Sequence, residues 1–167
     1  MRTSIGTALL AGAASGIAGA AVMAGASKLE QRFTHRPDSY IPAHTLAHLI
    51  GLDLPDSDRW SRNMAMHYGS GAVAGAIRGI MSCANLRGPF ASLMHANLRL
   101  SFDQTLENLT GVGAPPWTQP RDELVLDLVE KSIFALVTGA LADAVIDPLP
   151  GSSARRVGLG KQLKGRA

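Results

Sequence analysis

"HANLRLSFDQTLENL", residues 95–109, places His95, Arg99, Asp103 and Glu107 one helical turn apart. Steps of four residues drift by about 40° around a helix of 3.6 residues per turn, so these four side chains form a slanting polar stripe on one side. Asn97, Ser101, Gln104 and Asn108 flank the stripe, and Leu98, Phe102, Leu106 and Leu109 oppose it. Where the stripe faces decides the fold. Turned to water, it is the outer face of a soluble helical bundle. In a bilayer it must turn toward other helices or a wet cavity, because a charge at the bilayer centre costs at least about 2.5 kcal/mol on insertion scales.

The composition favours the second setting. Apolar residues make up 46% of the 167 residues and charged residues only 17%, against about 25% charged in ordinary soluble domains. The length suits one domain, 1–148, or about four membrane helices. The net charge of +3 is unevenly placed: Arg155, Arg156, Lys161, Lys164 and Arg166 lie in a tail, 149–167, that contains no acid. That tail has no aromatic residue for base stacking, so no nucleic-acid partner is expected, and its composition predicts disorder. Cys83 stands alone and excludes an intrachain disulfide.

Residues 3–27 carry no charge, and as a helix they would measure about 37 Å, enough to span a bilayer. Ala8, Gly12, Gly16, Ala20 and Ala24 recur every four residues on one face, which lets another backbone approach closely. Two rival readings exist for this segment. "TALLAGAASGIAGA", residues 7–20, resembles the glycine-rich turn of short-chain dehydrogenases. The spacing of Gly12, Gly16 and Gly19 departs from that fingerprint, however, and neither Tyr40 nor Tyr68 has a lysine four positions on. A cleaved signal peptide is the second rival, with "AGA" at 24–26 as its cleavage site, although the apolar run is long for one.

A polar loop follows, with a short helix opened by Pro42, running through His44 and His48 and ended by Gly51. The next helix is expected over about 58–86, its membrane part beginning near Met64. In it Gly71, Gly75 and Gly79 form two overlapping GxxxG spacings that match the small-residue face of the first helix. "NLRGP", 85–89, is a turn; a third helix covers 90–109; "TGVGAPPWTQP", 110–120, breaks the chain; and a fourth helix covers 121–146. The expected fold is therefore an all-α, four-helix integral membrane bundle with one long polar loop containing a short helix. Its spans are about 4–27, 64–86, 90–109 and 124–146.

The charges on these helices are the candidate site. Arg99 and Asp103 can pair locally, as can Asp127 and Lys131. Arg78 has no acid within four residues, so its partner must be Asp103, Glu107 or Asp143. Arg78, His95, Arg99, Asp103, Glu107 and Asp143 thus form a polar network that is either structural or handles a proton, an ion or a small polar solute. No catalytic residue and no cofactor stand out. His44 and His48, at i,i+4, offer a metal-dependent enzyme as the alternative, though the glutamate of the zinc-protease motif is missing at Thr45.

An even number of spans puts both termini on one side, and the basic tail with Arg87 makes that side cytoplasmic. The His44 loop and the "APPWTQP" turn should then meet on the opposite face. Besides the lipid bilayer, a second copy could dock on the small-residue faces. "RPDSYIPAHTL", "LRGPFAS" and "DQTLENLTGVGAPPWTQP" resemble segments of a family of uncharacterised small integral membrane proteins of bacteria and fungi, distantly similar to the YagU-like inner-membrane proteins. That resemblance implies a multi-helix membrane protein and carries no catalytic residues with it.

Overall fold

Ser4 opens the first helix, its side-chain oxygen accepting the Thr7 N–H at 3.1 Å and so satisfying a donor that the first turn leaves free. This helix, α1 (Ile5–Thr34), runs a turn and more past the expected residue 27 and stops where His35 turns left-handed at φ 56°. The short helix α2 (Ile41–Ile50) has Pro42 in its first turn and left-handed Gly51 at its end. In α3 (Arg59–Cys83), the chain leaves the helix three residues before the expected end. Asn85 at φ 64° lets Leu86 N–H reach back to the Met81 carbonyl at 2.8 Å, which closes the helix. Gly88 at φ 82° and Pro89 start α4 (Gly88–Leu109), and a 3-10 turn (Pro116–Thr118) precedes α5 (Arg121–Val145). The structure, a computed structural model, describes residues 4–52 and 59–149, and all regular structure among them is helical. The basic tail, apart from Leu149, lies outside the described residues.

Glycine sets the architecture. Gly12 and Gly16 of α1 lie against Gly71, Gly75 and Gly79 of α3 so closely that a Cβ on Gly12 would stand 2.7 Å from Gly79 Cα, and one on Gly16 would stand 2.7 Å from Gly75 Cα. Ascending residues on α1 meet descending residues on α3, so the pair is antiparallel. These small-residue faces are buried against each other and neither is left open to a second copy. On a neighbouring face of α1, Gly19 admits Thr138 and Phe134 of α5, and α5 in turn carries α4. The helices thus follow the order α3, α1, α5, α4 around the bundle, and α3 touches α4 sparsely.

The distribution of side chains is inverted relative to an ordinary core. The largest fully buried side chains include Arg78, His95, Thr45 and Thr138, with Phe134 and Ile146 as the large apolar exceptions. Leu10, Phe33, Phe90, Leu98, Leu109 and Val145 are exposed. Among the described residues, α1 alone is long and apolar enough by composition to cross a membrane. In the other long helices polar and charged residues interrupt the apolar stretches on both faces, inward at Arg78, His95 and Arg99 and outward at Arg59, Asn97 and Asp122.

Candidate functional site

The stripe on α4 faces inward. His95 and Arg99 are 1% and 4% exposed, Asp103 and Glu107 are partly buried, and Leu98, Phe102 and Leu109 stand outside. Asn97, Ser101 and Asn108 of its polar flank stay out as well, Asn97 and Asn108 folding their amides back onto the Leu93 and Gln104 carbonyls at 2.9 and 2.7 Å, whereas Gln104 is partly buried and lines the end of the bundle. Leu106 leaves the expected apolar face and lines the end of the bundle.

Three polar stations follow one another along the interior. At the end where α1 begins and α5 finishes, the fully buried Arg78 guanidinium donates to Asp143 Oδ2 at 2.8 Å and to the Leu86 carbonyl at 3.3 Å. Ser82 donates to Asp143 Oδ1 at 2.7 Å, the Gly88 N–H donates to Oδ2 at 2.9 Å, and Arg87 donates to the Asp143 carbonyl. Gly139 leaves the room that Arg78 needs, since a Cβ there would sit 3.2 Å from its guanidinium nitrogens. Of the three acids open to Arg78, the fold supplies Asp143; Asp103 and Glu107 belong to the other end.

Midway, His95 Nε2 bonds to the Ala74 carbonyl of α3 at 2.9 Å, and His67 Nε2 does the same to Ala20 of α1 at 2.9 Å. Because the partner is a carbonyl, each ring must carry its proton on Nε2. The buried Phe134 ring stacks against His95 at 5.6 Å between centroids and underlies the Arg99 guanidinium at 5.0 Å. Phe134 was invisible as a site residue in the sequence, where it is one aromatic in an uncharged run. Ser70 and Ser82 carried a readable signal, each lying on the turn next to His67 or Arg78.

The third station is a nest of charges. Arg99 Nε donates to Asp103 at 2.8 Å and its Nη2 to Ser70 Oγ at 2.8 Å; Lys131 lies 2.7 Å from Asp127 and 3.4 Å from Asp103. The Glu107 carboxylate is different, because it makes no hydrogen bond or ion pair among the described residues and feels Lys131 and Asp103 only at longer range. Two cations, Arg99 and Lys131, therefore face three acids, Asp103, Asp127 and Glu107, leaving one acid in excess.

This nest lies in the wall of a cavity of about 490 Å³ that opens at the bundle end, bordered by Tyr40 and Thr45 of the α2 region and by Gln119 and Glu123 after the 3-10 turn. The α2 loop and the proline-rich turn thus meet at one vestibule. A strap closes its side. Arg36 binds Glu30 at 3.0 Å and Glu130 of α5 at 3.2 Å, and Lys28 pairs with Asp38. The Thr34 hydroxyl and then Arg36 hold the Glu30 carboxyl below its ordinary range, and the Lys28 ammonium does the same for Asp38.

His44 is half-buried and His48 exposed, and among the described residues no three His, Cys, Asp or Glu side chains gather as metal ligands. The metal-dependent alternative thus finds no third ligand there. No family model matches the chain, nor does any curated protein or solved structure.

Proposed function

We propose that α1, α3, α4 and α5 cross a bilayer, and that the polar interior between them loads a proton or small cation onto Glu107 from the vestibule. The observation that carries this reading is the inverted packing: charged and small residues within, large apolar side chains without. Contiguous exposed apolar surface on this scale marks contact with a membrane or partner. The polar stations run along α4 from Gly88 to Glu107, about 28 Å at 1.5 Å per residue, close to the roughly 30 Å hydrocarbon thickness of a bilayer. Trp60 and Trp117, 66% and 84% exposed at the vestibule end, suit an interfacial belt. The resemblance to small integral membrane proteins points the same way. The basic tail and Arg87 would put the Arg78–Asp143 end on the cytoplasmic side and the vestibule on the other.

Arg99 and Lys131 act in this reading as fixed countercharges, balancing Asp103 and Asp127 so that the nest takes up one additional positive charge and no more. Carbonate extraction tests the setting: the protein stays in the membrane pellet until detergent is added, and release into the supernatant overturns the reading. Reconstitution into vesicles containing a pH-sensitive dye tests the chemistry. Under an imposed potential the wild type should acidify the lumen or admit a small cation faster than protein-free vesicles. Glu107→Gln should abolish the difference, and the exposed Asp122→Asn should retain it. Equal rates for wild type and Glu107→Gln would remove Glu107 from the proposal.

A further inference from the structure

The vestibule is far larger than a single charge requires. Its volume of about 490 Å³ falls among small-molecule sites of roughly 300–1,000 Å³, whereas a proton needs no room at all. Four cations and six acids line it. Lys28, Arg36, Arg99 and Lys131 each hold one of those acids in an ion pair, so Glu107 and Glu123 are left over. Glu123 stands exposed at the mouth, in water. Glu107 makes no hydrogen bond or ion pair among the described residues, and its oxygens are not sealed in: the side chain is partly exposed on the cavity wall, where a ligand reaches it. Much of the remaining wall is apolar. Met23, Met64, Met66, Leu106 and Leu126 come from all four long helices, and methionine adapts its unbranched, polarizable side chain to irregular apolar shapes.

The chemistry selects the occupant. One unpaired carboxylate in the nest calls for one positive charge, and a second charge on the same ligand would be set against Arg99 and Lys131. A bare metal ion is poorly served, because it needs several oxygens at once and no three His, Cys, Asp or Glu side chains gather among the described residues. A primary ammonium donates to the carboxylate through a charge-assisted N–H bond, while its carbon chain covers the apolar wall. We infer that the vestibule binds a small primary alkylammonium ion, its ammonium on Glu107 and its chain against Met64 and Leu106. This names the substrate class of the cation-loading site and rests on that reading.

The test uses the full chain in phosphatidylcholine nanodiscs at neutral pH, with isotope-labelled n-butylammonium as the probe. Binding should be saturable and displaced by unlabelled butylammonium. Neutral 1-butanol, potassium, and tetramethylammonium, which has no N–H, should compete at least about tenfold more weakly. From methylammonium to butylammonium each methylene should tighten binding about two- to fourfold, as burial against an apolar wall requires. Glu107→Gln should weaken butylammonium about ten- to a hundredfold, the worth of a hydrogen bond to a charged group. Leu141→Trp, on the outer face of α5, should leave binding unchanged. Met64→Trp should fill the wall and reverse the chain-length preference; should that variant fail to fold, the ammonium series carries the test. Affinity independent of chain length, displacement by potassium equal to that by butylammonium, or no saturable binding would each overturn the inference. The vesicle flux assay separates the two claims: flux indifferent to Glu107 sinks the loading reading, whereas Glu107-dependent flux without saturable amine binding sinks only the ammonium ligand.

Discussion

Arg78 shows how far single residues can be read. Its lack of an acid within four positions announced a distant partner, and Ser82 one turn on was a visible second contact, but choosing Asp143 over Asp103 and Glu107 required knowing which ends of the helices coincide. Asp143→Asn should leave a buried guanidinium uncompensated and cost about 3–5 kcal/mol, seen as a lowered midpoint in detergent thermal unfolding. The glycines divide sharply. At Gly75 a Cβ would stand 2.7 Å from Gly16 N, and Gly75→Ala should destabilise by about 1–3 kcal/mol in the same assay. Gly69, on the same helix, has nothing within 4 Å of its added Cβ, and Gly69→Ala should stabilise by about 0.5–1 kcal/mol through helix propensity. Equal effects at the two sites would mean that the close α1–α3 approach is wrong. The GxxxG spacing marked Gly75 as a packing residue, and Gly69 lies outside that spacing.

At the scale of elements, the positions of the helices were legible because prolines and glycines punctuate the chain, and α2 follows from Pro42 and Gly51 almost to the residue. The ends were less so: α1 continues to Thr34 because Lys28, Glu30 and Arg32 are good helix formers, and the absence of charge predicts a span and not a helix boundary. The strap from Arg36 to Glu30 and Glu130 was hidden because it joins the loop after α1 to α5. Its pH dependence has a definite sign. The folded Glu30 carboxyl titrates below its unfolded value, so its contribution is complete above the ordinary carboxylate range and disappears as pH falls through the lowered value. Backbone hydrogen exchange over residues 30–36, corrected for the intrinsic pH dependence of exchange, should therefore accelerate once the pH falls below the ordinary carboxylate range, relative to neutral pH, and Glu30→Gln should exchange at the faster rate throughout. A wild-type rate independent of pH would exclude the strap.

For the molecule as a whole, a composition rich in Ala and Gly pointed to close helix packing, and the inward turn of the His95–Glu107 stripe could not be read from spacing, which describes a soluble outer face equally well. Trp60 and Trp117 offer a check of the setting: in vesicles their fluorescence should be quenched by lipids brominated near the headgroup and spared by those brominated at the chain ends. The reverse pattern would bury the vestibule end. The α1–α3 seam also fixes the register of the molecule. A slide of one turn, about 6 Å, would bring Ala20 to the place of Gly16, where a Cβ stands 2.7 Å from Gly75 Cα, and Cys83 to the place of Gly79, where a Cβ collides with the Ala8 carbonyl oxygen. The two helices form a ruler with a single zero, and the His67 imidazole seated on the Ala20 carbonyl at 2.9 Å marks the same graduation by chemistry.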